Sequence, residues 1–216
     1  MKRKKLVILL NILVIAWLII LQSTKVSATL GNIESLVYSD DEFDGDKSFA
    51  TRLQNTFTTG GLKASLQTRP ASAYGINSIM SNSDCTYISA QGSSDGSVIE
   101  LKKNSVYYTP DNVAKGMNGN LVFLSVCYGA KTNSSGANLC STIVKRGYRA
   151  AIGYKTEVGV EECRTFEKEF FYNWIVEKKY LLPAFSTARD YVSSRYGSSN
   201  AVVTSVTYFG NGSLKH

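Results

Sequence analysis

Short apolar runs alternate with amphipathic stretches along most of this 216-residue chain. Ile33 to Tyr38 reads as a buried strand, followed by the acidic turn Ser39-Asp40-Asp41-Glu42-Phe43-Asp44-Gly45. Asp46 or Ser48 is placed to cap a helix running to about Thr58, because Phe49, Leu53 and Phe57 recur four apart on one face. Gly60-Gly61 ends it, and Leu62 to Leu66 alternates as a second strand. Pro70 opens another helix, with Tyr74, Ile76, Ile79 and Met80 as its apolar face. A strand over 84–90 follows, then a turn at Ser93-Ser94-Asp95-Gly96 and a small hairpin, 97–101 with 105–108, around Lys102-Lys103-Asn104. A short helix begins at Thr109-Pro110-Asp111. The apolar run Asn120-Leu121-Val122-Phe123-Leu124-Ser125-Val126-Cys127 comes next. Ser134 or Ser135 is the expected cap of a helix through Leu139, Ile143 and Val144, and Tyr148 to Tyr154 is another strand. Glu161 to Lys179 carries Phe166, Phe170, Trp174 and Ile175 as a buried stripe; Pro183 opens the last helix, and Ala201 to Phe209 closes the chain as a strand. Strands alternating with helices predict a mainly parallel sheet covered by helices on both faces.

The first residues follow a different rule. Met1-Lys2-Arg3-Lys4-Lys5 is basic, Leu6 to Leu21 is apolar except for Asn11, and a polar stretch ends in Val26-Ser27-Ala28. That is the three-part pattern of a secretory signal cut after Ala28, so we expect residues 1–28 to be a signal and 29–216 the exported domain. The competing reading is an uncleaved anchor over residues 6–21, somewhat short of the roughly 20 residues that span a bilayer. Five of the 24 basic residues and none of the 17 acids lie in this segment, leaving 19 against 17, or +2, for the rest. The basic character of the whole chain therefore gives no reason to expect a nucleic-acid partner, and membrane contact is expected only through an uncleaved N-terminus.

Four cysteines, Cys85, Cys127, Cys140 and Cys163, permit two disulfides outside the cytoplasm, but their spacing is not that of a disulfide framework. With no CxxC and His216 as the only histidine, neither a zinc site nor any cofactor is expected.

Candidate chemistry concentrates in two segments: Asp84-Cys85-Thr86-Tyr87-Ile88-Ser89-Ala90-Gln91-Gly92, and Leu121 through Val126-Cys127-Tyr128-Gly129. Each is an apolar strand ending abruptly in a polar tip. Sites in open parallel sheets form beyond the C-terminal strand ends. One connection separates the two segments, which makes them neighbouring strands and brings Gln91 and Cys127 together. The pair resembles the two catalytic blocks of the caspase-like cysteine peptidases, the group of gingipains, legumains and CHAT domains, in which the first block ends in His-Gly and the second in a small residue and Cys. Lys145 to Tyr154 further resembles the strand after the nucleophile in CHAT-type domains, and Pro183-Ala184-Phe185 with Ala188 that family's final helix, so the likeness covers about residues 33–209. It implies a caspase-like three-layer α/β sandwich whose last strand runs parallel to the others. It also implies Cys127 as nucleophile and the amides of Gly92 and Cys127 as an oxyanion hole. Asp95, Tyr154, Lys155 and Glu157 become candidates to line the substrate pocket, an acidic lining favouring a basic side chain.

The shuttle histidine's position holds Gln91, which has no titratable proton and cannot relay one from thiol to leaving amine. The sequence therefore predicts a peptidase scaffold that is impaired, or a pseudo-peptidase binding a peptide or protein segment in its cleft. An active endopeptidase would need another base, for which Asp95, Glu157 and the C-terminal His216 are available, unless Gln91 is itself a substitution that disarms an active enzyme. A flavodoxin-like ligand-binding domain is the alternative of a different class, but Asp40-Asp41-Glu42 after the first strand would repel phosphate.

Overall fold

The computed structural model describes residues 34–39, 45–102 and 106–216. The N-terminal segment, the acidic turn at 40–44 and the tip of the hairpin lie outside them. Among the described residues no helix is long and apolar enough to cross a membrane.

Six strands form one sheet: β1 (Glu34–Tyr38), β2 (Ala64–Thr68), β3 (Cys85–Ala90), β6 (Leu121–Val126), β7 (Ala150–Tyr154) and β8 (Val206–Gly210), in the order β2-β1-β3-β6-β7-β8. All neighbours are parallel except β7 and β8. β4 (Ile99–Lys102) and β5 (Val106–Tyr108) form a separate hairpin.

Alternation along the strands sends side chains to two cores. Leu36, Tyr87, Phe123, Ile152 and Tyr154 face α1 (Asp46–Thr59), α4 (Val160–Phe171) and α5 (Leu181–Tyr196). Val37, Ile88, Val122, Leu124 and Ala151 face α2 (Ala73–Ser81) and α3 (Leu139–Lys145). The first core is aromatic: the Phe123 ring lies 5.4–6.3 Å, centroid to centroid, from Tyr87, Tyr154, Phe166, Phe170 and Phe171. Such rings combine large buried area with edge-to-face contacts, so this face anchors the fold.

Several elements depart from the sequence pattern, each for a local reason. Leu62 is held by the exit of α1, its N–H bonding Phe57 O, so β2 starts two residues later than its alternation suggests. α2 starts at Ala73, where the Ser72 hydroxyl accepts the Gly75 N–H, and Tyr74 is 83% exposed rather than part of the apolar face. Asn138, not Ser134 or Ser135, caps α3 by accepting the Ser141 N–H. The stripe of Phe166 and Phe170 continues through a π-helical turn, Tyr172–Val176, that keeps Trp174 and Ile175 buried. Asn200 caps a short helix, α6 (Ala201–Ser205), in place of the first half of the expected terminal strand, and β8 then runs antiparallel to β7.

Candidate functional site

The β3–β6 register pairs Ala90 with Val126, so Gln91 and Cys127 are the next residues on two adjacent parallel strands. Both leave the sheet at its C-terminal edge. The contact there is backbone to backbone: a Cβ on Gly92 would lie 1.8 Å from the Cys127 carbonyl oxygen. Only glycine fits, and this packing reason for Gly92 is independent of any role for its amide.

Val126 to Gly129 closes as a tight turn, with the Gly129 N–H bonding Val126 O at 3.1 Å. Its left-handed residue is Tyr128, at φ 61°, not either glycine of the two blocks. A bulky residue in that region is strained and needs external support. Tyr128 has it: its N–H reaches Thr156 O, its carbonyl accepts the Ser97 N–H, and Lys131 Nζ sits 5.4 Å from its ring centroid. These contacts fix the direction in which Cys127 leaves β6.

Cys127 is half-buried, and its Sγ lies 3.9 Å from Val158 O. Burial pushes the thiol pKa above its ordinary value, and the carboxylate of Glu157 pushes the same way, outweighing the bond to Val158. A peptidase nucleophile needs the opposite, a cation or a base that favours thiolate. Gln91 is exposed and supplies neither. His216 lies at the other edge of the sheet: its Nε2 is 3.3 Å from Glu34 Oε1 at the start of β1, and its ring stands edge-on to Trp174 at 5.0 Å. It is not the missing base.

A cavity of about 40 Å³ opens beside Cys127 on the aromatic face of the sheet. The strand positions leading to it turn polar where the interior positions are aromatic: Ser89 follows Tyr87, and Ser125 follows Phe123. Asp46, the first residue of α1, forms part of the wall and is 3% exposed. Its carboxylate accepts the Ser39 N–H at 2.9 Å and the Ser89 hydroxyl at 3.0 Å, with Arg164 Nη2 3.7 Å away. Burial raises its pKa against the opposing pull of these partners. Asp46 thus points back toward the β3 edge, and Gly45 takes the N-cap position without a side-chain cap.

Cys163 also lines the cavity; all four cysteines are free thiols. Beneath it, Glu167 is fully buried and accepts hydrogen bonds from Tyr87 Oη (2.9 Å) and Tyr154 Oη (3.0 Å). Burial drives its pKa to about 7 in spite of those donors. Sequence reasoning missed Asp46, Cys163, Arg164 and Glu167 as site residues. For Glu167 a signal existed: it falls inside the helical stripe of Cys163, Phe166, Phe170 and Phe171, where an acid is out of place.

The pocket candidates scatter. Tyr154 is 0% exposed, its hydroxyl committed to Glu167, so it is a core residue and a ligand cannot touch it; β7 ends by turning that ring into the aromatic core. Asp95 sits exposed in the turn after Gly92. Lys155 is exposed and lines a separate open depression with Lys131 and Asn138. Only Glu157, also exposed, acts on Cys127, through its charge. Among the described residues no cluster of His, Cys, Asp or Glu suits a metal ion.

No family profile and no curated relative matches the sequence. Solved structures do match in shape. The Arg-specific cysteine proteinase gingipain R superposes with a TM-score of 0.66 at 12% identity over 85% of this chain. The complex of Porphyromonas gingivalis RgpB pro- and mature domains gives 0.64 at 12% identity, again over 85%. Separase in the Saccharomyces cerevisiae separase–securin complex gives 0.56 at 15% identity over 84%. The chain spans about half of the gingipain chains (47% and 48%) and 12% of the separase chain. The fold is therefore that of the caspase-like cysteine peptidases, with its mostly parallel six-stranded sheet between helices.

Proposed function

We propose that this is an exported protein with a caspase-like cysteine-peptidase fold that binds an extended peptide or protein segment across the C-terminal edge of its sheet without cutting it. The observation that carries the reading is that Gln91 and Cys127 directly follow Ala90 and Val126, the last paired residues of β3 and β6, at an edge that the chain's histidine does not reach. Burial and the carboxylate of Glu157 raise the pKa of the thiol there. General acid–base help contributes roughly 10²–10⁴-fold to such reactions, so its loss would slow amide hydrolysis by about that factor. Export rests on the basic, apolar and small-residue pattern of residues 1–28.

A second reading, a slow endopeptidase in which Glu157 replaces the histidine, draws on the electrostatic contact of that carboxylate with Cys127. Hydrolysis of fluorescein-labelled casein by the purified chain, its Cys127→Ala variant and its Gln91→His variant separates the two. A binding protein gives no cleavage above the Cys127→Ala background and gains cleavage with Gln91→His. Cleavage by the unaltered chain that disappears in both Cys127→Ala and Glu157→Gln would establish the second reading instead.

A further inference from the structure

The cavity beside Cys127 holds a buried carboxylate, which by charge alone would select a basic side chain. Its surroundings argue otherwise. Arg164, on α4, already serves Asp46: its guanidinium lies 3.7 Å from Oδ1, 3.8 Å from the position a Cβ on Gly45 would take, and 5.6 Å from the Phe49 ring centroid. The side chain is 22% exposed and lines the cavity beside Asp46. Both Asp46 oxygens also have donors from the chain itself, Ser39 N–H and Ser89 Oγ. A second cation entering would meet a neutralised carboxylate and the positive charge of Arg164.

Size points the same way. The enclosed part of the cavity is small, about 40 Å³, which suits a methyl or isopropyl group. Its other polar lining is committed within the chain, Ser89 to Asp46 and Tyr87 and Ser125 to Glu167, which leaves Ala90, Val126, Val158, Val160 and Cys163 to offer a ligand methyl groups and sulfur.

We infer that Arg164 is the specificity-determining residue of this cavity: by occupying the cation site of Asp46 it makes the Cys127 pocket select a small uncharged side chain, of the size of alanine or valine, and reject arginine and lysine. This rests on the reading of the cleft as a peptide site, and it sets the chain apart from the Arg-specific neighbour whose fold it shares.

The test is protection of Cys127 from N-ethylmaleimide at pH 8.5, read by mass spectrometry of the labelled peptide, with acetyl-Ala-Ala-Xaa-amide peptides in which Xaa is Ala, Val, Lys or Arg. The unaltered chain should be half-protected by the Ala or Val peptide at a concentration at least tenfold lower than by the Arg peptide. Arg164→Ala should improve the Arg peptide at least tenfold, and adding Asp46→Asn should remove that gain. Arg164→Gln, which keeps more of the side chain over Phe49, should shift in the same direction if the alanine variant does not fold. Equal protection of the unaltered chain by Arg and Ala peptides would overturn the inference while leaving the peptide-binding reading standing. An unchanged order in both Arg164 variants would do the same. Failure of every peptide to protect any variant would overturn the inference and the reading together.

Discussion

The two edges of the central sheet use similar residues to opposite ends. At the N-terminal edge, Glu34 accepts the Cys85 N–H with Oε2 and faces His216 with Oε1, while the His216 ring packs on Trp174. The tail that delivers His216 is tied down by Leu181 N–H to Leu214 O and Leu182 N–H to Gly212 O. At the C-terminal edge, about 20 Å away along six residues of strand, Asp46 holds Ser39, Ser89 and Arg164 around an open cavity, and Cys127 stands beside it. One edge is a filled clasp in which an imidazole and a carboxylate close the structure. The other is a gap lined by a thiol and a carboxylate that no imidazole reaches. An acid, a base and a nucleophile in one chain make a catalytic site only if the topology brings them to the same edge.

The largest effect expected from breaking this comparison comes from Gly92→Ala. A methyl group there collides with the Cys127 carbonyl, so β3 and β6 must part at the site edge. Stability should fall by about 3–5 kcal/mol, measured by chemical denaturation.

Glu167→Gln comes next. Glu167 binds its proton more tightly folded, with a pKa of about 7, than at its ordinary value of 4.5. The folded state therefore holds the extra proton between those values, and stability is full below pH 4.5 and declines as pH rises to about 7. That is a loss of roughly 3 kcal/mol. The glutamine variant should lack this part of the decline, seen as a shallower fall in unfolding free energy over that window.

His216→Ala should give the smallest change. Loss of the edge-on contact with Trp174 and of the Glu34 interaction costs about 1 kcal/mol, with no change in the rate of Cys127 alkylation. A change in that rate would place the histidine in the site after all.

Much of the site edge was legible in the sequence because two buried strands with abrupt polar ends leave few ways to pair. The 84–90 and 120–127 runs, the helices that follow them and the mainly parallel sheet are all found. What was not legible depends on contacts between distant segments. Asp46 reads as a helix-capping residue until α1 is laid beside β3, where Ser89 claims its carboxylate. The Asn138 cap of α3 was hidden behind two serines that belong to a turn organised by the Asn133 side chain, which accepts from Ser135 and Ala137. The Val202-Val203-Thr204 run favours strand by propensity, yet the Asn200 cap and the burial of Val202 turn it into helix, and the chain then enters β8 in the opposite direction. Tyr154 is last in an apolar strand and looked like a pocket residue, but alternation turns it inward, toward Glu167.

The central claim, that the thiol at the C-terminal edge has a raised pKa and that no imidazole reaches it, is tested most directly by the pH dependence of Cys127 alkylation. Iodoacetamide labelling of the purified chain from pH 5 to 10, followed by the mass of the Cys127 peptide, should show little reaction at pH 7 and a midpoint displaced above the ordinary thiol value. The Gln91→His variant should label markedly faster near neutrality. Rapid labelling of Cys127 in the unaltered chain well below pH 8.5 would mean that a group at this edge generates the thiolate, and would contradict the account.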